Sequence, residues 1–210
     1  MKTLRPLPLT LLPVLFILMA CSMSPGGTAR LYPAAYKQAG YRQSGDSSIF
    51  EDKLVRVTVR PVSECCGSGS DLLLEDLFKD GYVLFRMDME NLSKDLPVVY
   101  NPSHTSLFAG SFDYKKPLDY AELYYAVKKK YPAEMPEDRL KALRGKFYDL
   151  NTSVAPGGKT SRMLIFYPLE PGIKRGRADL KINELYTGTD VVSITFTFSI
   201  KTERQIKNNP

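Results

Sequence analysis

Two adjacent thiols are the most reactive pairing in this chain of 210 residues. Cys65 and Cys66 open a Gly-Ser loop, Cys65-Cys66-Gly67-Ser68-Gly69. Neighbouring cysteines can close a small strained ring that is easily reduced, bridge to another chain, or hold a soft ion such as Cu(I) with two thiolates. All three outcomes stay open at this point. His104 is the only histidine, and hydrolytic triads and most zinc sites need one, with partners. Ser103, Thr105 and Ser106 flank it, but adjacency in sequence does not aim a hydroxyl at an imidazole. The chain carries no G-x-S-x-G and no H-E-x-x-H. Gly157-Gly158-Lys159-Thr160 invites comparison with a phosphate loop. Ser153 stands where that loop needs its first glycine, and a strand rather than a helix follows, so a hairpin turn is expected instead. Acidic pairs such as Glu75 and Asp76 have no distinctive frame. The expectation is therefore no catalytic residue, no metal ligand and no cofactor.

The elements that would position these residues are mostly strands. Val55, Val57 and Val59 alternate with Arg56, Thr58 and Arg60. Val83, Phe85, Met87 and Met89 alternate with Leu84, Arg86, Asp88 and Glu90. Val192, Ile194, Phe196, Phe198 and Ile200 put five apolar residues on one face of a strand whose other face is polar. Val98 to Tyr100 and Leu180 with Ile182 mark two more strands, the latter running toward a turn at Gly188. Met163 to Tyr167 is apolar on both faces, which predicts a central strand. A helical insertion over about 118–148 breaks the series. Its first helix carries Tyr120, Leu123, Tyr124, Val127 and Tyr131 on one face, is capped by Asp119 and stopped by Pro132. Its second begins at Pro136 and buries Leu140, Leu143 and Phe147. Tyr125 falls off the packed face beside the lysine-rich end, so Tyr125 and Lys129 are the expected partner contact.

The ends of the chain bound where it works. Lys2 and Arg5 precede an apolar run from Leu7 to Leu18, broken by Thr10, Pro8 and Pro13. That is the layout of a secretory signal, too short and too rich in proline for a membrane span. Leu18-Met19-Ala20-Cys21 closes it and resembles the bacterial lipobox, with Met19 outside the favoured residues. The resemblance implies cleavage after residue 20 and acylation of Cys21, a lipid anchor in the cell envelope. Ser22 rather than Asp follows, which by the same resemblance favours the outer membrane, facing the periplasm. Residues 21–50, rich in Ser, Pro, Gly and Gln and without period, read as the lipidated cysteine and a flexible tether able to span on the order of 80 Å. The polar stretch 203–210 reads as a tail.

Residues 51–202 are then one domain with enough apolar sequence to form a core. Six or seven strands without βαβ alternation predict a mainly β, antiparallel sandwich with the helical insertion. Phe85-Arg86-Met87 to Asn91-Leu92-Ser93, then Val99-Tyr100-Asn101-Pro102, then Val154 to Gly158 before Leu164-Ile165-Phe166 resemble the immunoglobulin-like sandwich domains of many bacterial lipoproteins. The likeness implies a fold and hardly any chemistry. Basic residues are interleaved with acids, and Lys128-Lys129-Lys130 is the one short run, so no nucleic acid is expected. The functional expectation is a membrane-anchored binding or assembly module with a protein partner in the envelope. An envelope hydrolase, or a metal or redox module using Cys65 and Cys66, is the alternative.

Overall fold

The computed structural model describes residues 29–62, 72–110 and 113–202. In chain order the strands and helices begin with β1 (Ala29–Pro33), β2 (Tyr41–Ser44), β3 (Ser47–Glu51) and β4 (Val55–Pro61). Helix α1 (Leu72–Lys79) leads into β5 (Val83–Asn91), and β6 (Val98–Tyr100), β7 (Thr105–Ala109) and β8 (Asp113–Lys115) follow. Then come α2 (Tyr120–Lys130), α3 (Pro136–Leu140), β9 (Thr152–Val154), β10 (Lys159–Phe166), β11 (Gly176–Thr187) and β12 (Asp190–Thr202). The chain is mainly β, built from two antiparallel sheets. One has the order β10-β5-β4-β3-β2. The other runs β1-β12-β11-β6-β9, with β7 also on β11 and β8 on β7.

Period-2 sequence explains the main core. Val55, Val57, Val59, Phe85, Met87 and Met89 face inward from one sheet, and Leu180, Ile182, Ile194, Phe196, Phe198 and Ile200 from the other. Phe85 and Phe198 meet across the gap with ring centroids 5.1 Å apart. The core aromatics and aliphatics come from both sheets, which is how a two-sheet fold hides one face of each from water.

Residues 29–50 depart from the expected tether. They contain β1, β2 and β3, which extend both sheets. The tyrosines that look isolated in sequence are bonded across the fold. The Tyr36 hydroxyl accepts from the Thr197 amide at 2.8 Å and donates to Ser48 Oγ at 3.0 Å. The Tyr41 hydroxyl accepts from the Thr195 amide at 3.1 Å, and its ring stacks on that of Tyr36. A phenol with a half-buried ring and a bonded tip holds a polar, aperiodic segment in place where alternation does not. The described fold thus takes in residues from Ala29 onward, not only those from residue 51.

A third layer covers part of the five-stranded sheet. Leu84 of β5 and Ile165 of β10 are register partners that point away from the main core. They pack with Leu73, Leu77, Leu123, Val127, Leu140 and Phe147 in a second core beneath the helices. This explains Met163 to Tyr167: the strand is apolar on both faces because both are covered, yet β10 is an edge strand, not a central one. Its open side is closed by other backbone. Met163 N donates to Lys146 O at 2.7 Å, Tyr148 N to Met163 O at 2.8 Å, and Leu118 N to Ile165 O at 2.7 Å. The helical insertion therefore plugs an edge as well as covering a face.

One turn carries the chain from one sheet to the other. Gly158 N donates to Ala155 O at 2.8 Å, with Pro156 and Gly157 between them. Gly157 has φ +68°, the left-handed residue a type II turn needs after proline. A turn was expected here, but it is not a hairpin: β9 belongs to one sheet and β10 to the other. Asn91 braces it from beneath. Its side-chain amide donates to Leu96 O at 2.8 Å and Val154 O at 2.9 Å, and its Oδ1 accepts from Ser93 N at 2.9 Å. Asn91 is 1% exposed, and its bond to Val154 O lies away from water.

Candidate functional site

The helical layer is rigidly joined. Asp119 Oδ1 accepts from Glu122 N at 2.8 Å and Glu122 Oε2 from Asp119 N at 3.1 Å, a full capping box at the start of α2. At the other end, the Tyr131 hydroxyl donates to the Asp76 carboxylate of α1. The Arg139 guanidinium of α3 lies 3.7 Å from the centre of the Tyr131 ring. Arg139 also bonds Glu134 at 2.6 Å, and Lys130 Nζ bonds Asp80 at 2.6 Å. Loss of solvation, then the bond to Asp76 and its charge, pushes the Tyr131 hydroxyl up to about 12. One tyrosine and its ionic neighbours thereby tie all three helices together.

What this layer presents to solvent is a tyrosine and lysine surface. Tyr125 is 70% exposed and Tyr120 43% exposed. Lys128 and Lys129 are exposed beside them, whereas Lys130 is drawn inward by Asp80. The Tyr124 ring, half-buried, supports Tyr125 edge-to-face at 5.9 Å. Loss of solvation and the nearby Glu137 raise the Tyr124 hydroxyl above its ordinary value. Tyr125 and Lys129, the two residues singled out by helical spacing, both stand on this open face.

His104 ends a short 3₁₀ turn, Pro102–His104, and lies against a β-bulge in β11, where the register with β12 shifts between Ile182 and Leu185. The bulge turns Glu184 toward the ring. Nδ1 and Oε2 are 2.7 Å apart, ion-pair distance for a protonated ring but out of line for a hydrogen bond. Tyr186 donates its hydroxyl proton to the same Glu184 carboxylate, which raises the Tyr186 hydroxyl. Sequence spacing gives no hint of this trio, since 80 residues separate its parts and only the bulge aligns them. The flanking hydroxyls do not complete a nucleophile and base. Ser103 Oγ donates to Asn101 Oδ1 at 2.7 Å, and Thr105 Oγ1 bonds the Tyr100 hydroxyl at 2.7 Å. Ser106 is buried.

A cleft of about 630 Å³ opens between this turn and the helical layer, lined among others by Asn101, Lys116, Asp119, Glu122, Asp149 and Asn151. Two of its three carboxylates already cap α2. Among the described residues no group of three or more His, Cys, Asp or Glu side chains is placed to hold a metal ion. No helix among them is long and apolar enough to cross a membrane. Cys21, Cys65 and Cys66 lie outside the described residues. No family model, no curated protein and no solved structure matches the chain.

Proposed function

We propose that this protein is a lipid-anchored binding module of the bacterial cell envelope, held by an acylated Cys21 and facing the periplasm from the outer membrane. It works by contact, without catalysis. The observation that carries the reading is the helical layer: three helices locked by Tyr131, Asp76 and Arg139, with Tyr125 and Lys129 turned outward. A preorganised surface loses little entropy on binding, and tyrosine supplies contact area with a polar tip. The exposed Lys128 and Lys129 at the same end suit a protein partner with an acidic surface. The engaged Ser103 and Thr105 hydroxyls beside His104 support the non-catalytic part of the reading. A relation to the immunoglobulin-like domains of bacterial lipoproteins belongs to the same proposal. It is supported by the antiparallel two-sheet core and by the Asn91-Leu92-Ser93 turn.

The test is crosslinking and capture from intact cells. Wild type should retain a specific envelope protein, and Tyr125→Ala with Lys129→Glu should lose it while melting like wild type. An unchanged partner profile in that double variant overturns the assignment of the surface. Cys21→Ser should end lipid labelling and release the protein from membranes; continued lipid incorporation sinks the anchor.

A further inference from the structure

The early start of the fold changes what an anchor at Cys21 would do. Only eight residue steps separate Cys21 from Ala29, the first residue of β1. Even fully extended, they reach roughly 28 Å, about a third of the leash that residues 21–50 would provide. The end of the fold that carries Ala29 is thus kept close to any bilayer that holds the cysteine.

Strand register identifies that end. Ala29 pairs with Thr202, Arg30 with Lys201, and Leu31 with Ile200, which in turn pairs with Gly176. β1, β12 and β11 are neighbours in that order. Arg30 and Lys201 are direct cross-strand partners of like charge, and Arg175, one step before Gly176, continues their row. Lys174 precedes it. Like charges placed opposite each other are not favoured by sheet pairing itself. Lys174 and Arg175 are exposed, and neither makes an ion pair among the described residues. Lys201 is exposed too, its ammonium 5.4 Å from the centre of the Tyr32 ring. Of the acids nearby, Asp179 is taken by Arg177 at 2.8 Å, and Glu170 stands in the loop before Lys174.

We propose that Lys174, Arg175 and Lys201, with Arg30 beside them, form a basic foot that docks on anionic phospholipid headgroups. The proposal rests on the lipid-anchor reading, which brings this end of the fold within reach of the bilayer. The anchor supplies attachment; the foot sets orientation, with β1, β12 and the Leu169–Arg175 loop toward the lipid and the Thr187–Asp190 hairpin away from it. Basic residues near an anionic surface each contribute on the order of fivefold in binding, and the attraction fades within a Debye length.

The test removes the lipid so that only the foot can act. Residues 21–210, which contain the whole described fold, carry Cys21→Ser and are sedimented with vesicles of phosphatidylcholine alone or mixed with phosphatidylglycerol. Binding is expected only to the mixed vesicles, and it should fall as salt is raised. Lys174→Gln, Arg175→Gln and Lys201→Gln together should weaken it roughly 100-fold, while Lys128→Gln with Lys129→Gln should leave it unchanged. Circular dichroism confirms that each variant is folded, as expected for exposed positions. Equal binding to both vesicle types, equal binding by the triple variant, or loss in the Lys128 and Lys129 control each overturns the proposal. Because no acyl chain is present, these results stand apart from the anchor, which is judged by lipid labelling at Cys21.

Discussion

Replacing Asn91 should destabilise the protein out of proportion to the size of the change. In Asn91→Ala the Leu96 and Val154 carbonyls and the Ser93 amide each lose one partner, now at 2.8, 2.9 and 2.9 Å. At about 1 kcal/mol net per bond the loss is about 3 kcal/mol, raised by burial of the Val154 carbonyl and lowered because the Ser93 amide keeps Leu54 O at 3.2 Å. For a domain of this size that corresponds to a fall in Tm of about 6–12 °C, read by circular dichroism. Asn91→Asp keeps the shape but replaces an amide donor with an oxygen facing two carbonyl oxygens. At neutral pH it should melt below Asn91→Ala. The introduced carboxyl has its folded pKa raised above its unfolded value, so the folded state holds a proton the unfolded chain has released. The deficit should therefore shrink as pH falls through that raised pKa. If Asn91→Ala melts within about 2 °C of wild type, or Asn91→Asp gains nothing on acidification, the bracing role is wrong.

Three further outcomes follow from the geometry. Glu51 is held down to about 2 by hydrogen bonds from Arg56 and Arg42, so its contribution is present above the usual 4.5 and lost as pH falls from there. Its carboxyl resonance should stay that of an ion near pH 3 in wild type, and Arg56→Gln should move the midpoint back up. Phe196, fully buried opposite Leu180, should cost about 3–5 kcal/mol as Phe196→Ala, measured by chemical denaturation; a loss under about 1 kcal/mol would place it outside the core. Thr197→Asp, on the other face, sets a carboxylate where Thr197 Oγ1 now donates to Asp179 at 2.8 Å, so it should be milder than Phe196→Ala and ease as salt is added.

Where burial on one face governs a strand, the sequence alone reveals it. β4, β5 and β12 are visible in alternation, and α2 in its capping Asp119, its apolar face and Pro132. Signals of other kinds are not visible that way. β1 to β3 are short and polar, and they are kept in place by tyrosine hydroxyls bonded to β12, contacts between residues more than 150 positions apart. α1 is a Leu-rich octet whose apolar residues make sense only once Leu84 and Ile165 supply a face to cover. β10 reads as central because exposure, not pairing, decides which residues are apolar. The approach of Glu184 to His104 depends on a bulge, and periodicity carries no mark of it. Tyr125 and Lys129 were legible because helical spacing alone separates the packed face from the open one.

The pairing of β1 with β12 also sets the order in which the protein can be made. Ala29 finds its partner Thr202 only after every other described strand has been made. Closing that loop carries the largest entropy cost of any strand pair here, and contacts of such separation form slowly. Hairpins such as β2–β3 and β3–β4 can form while the chain is still being delivered; the outer strand of the larger sheet must wait. A fold whose first and last described strands share one seam keeps that seam open until β12 is in place, and it is briefly vulnerable there to proteases and to strand exchange with a neighbour. Loss of a few residues from the end of β12 would leave β1 without its template and expose the seam permanently.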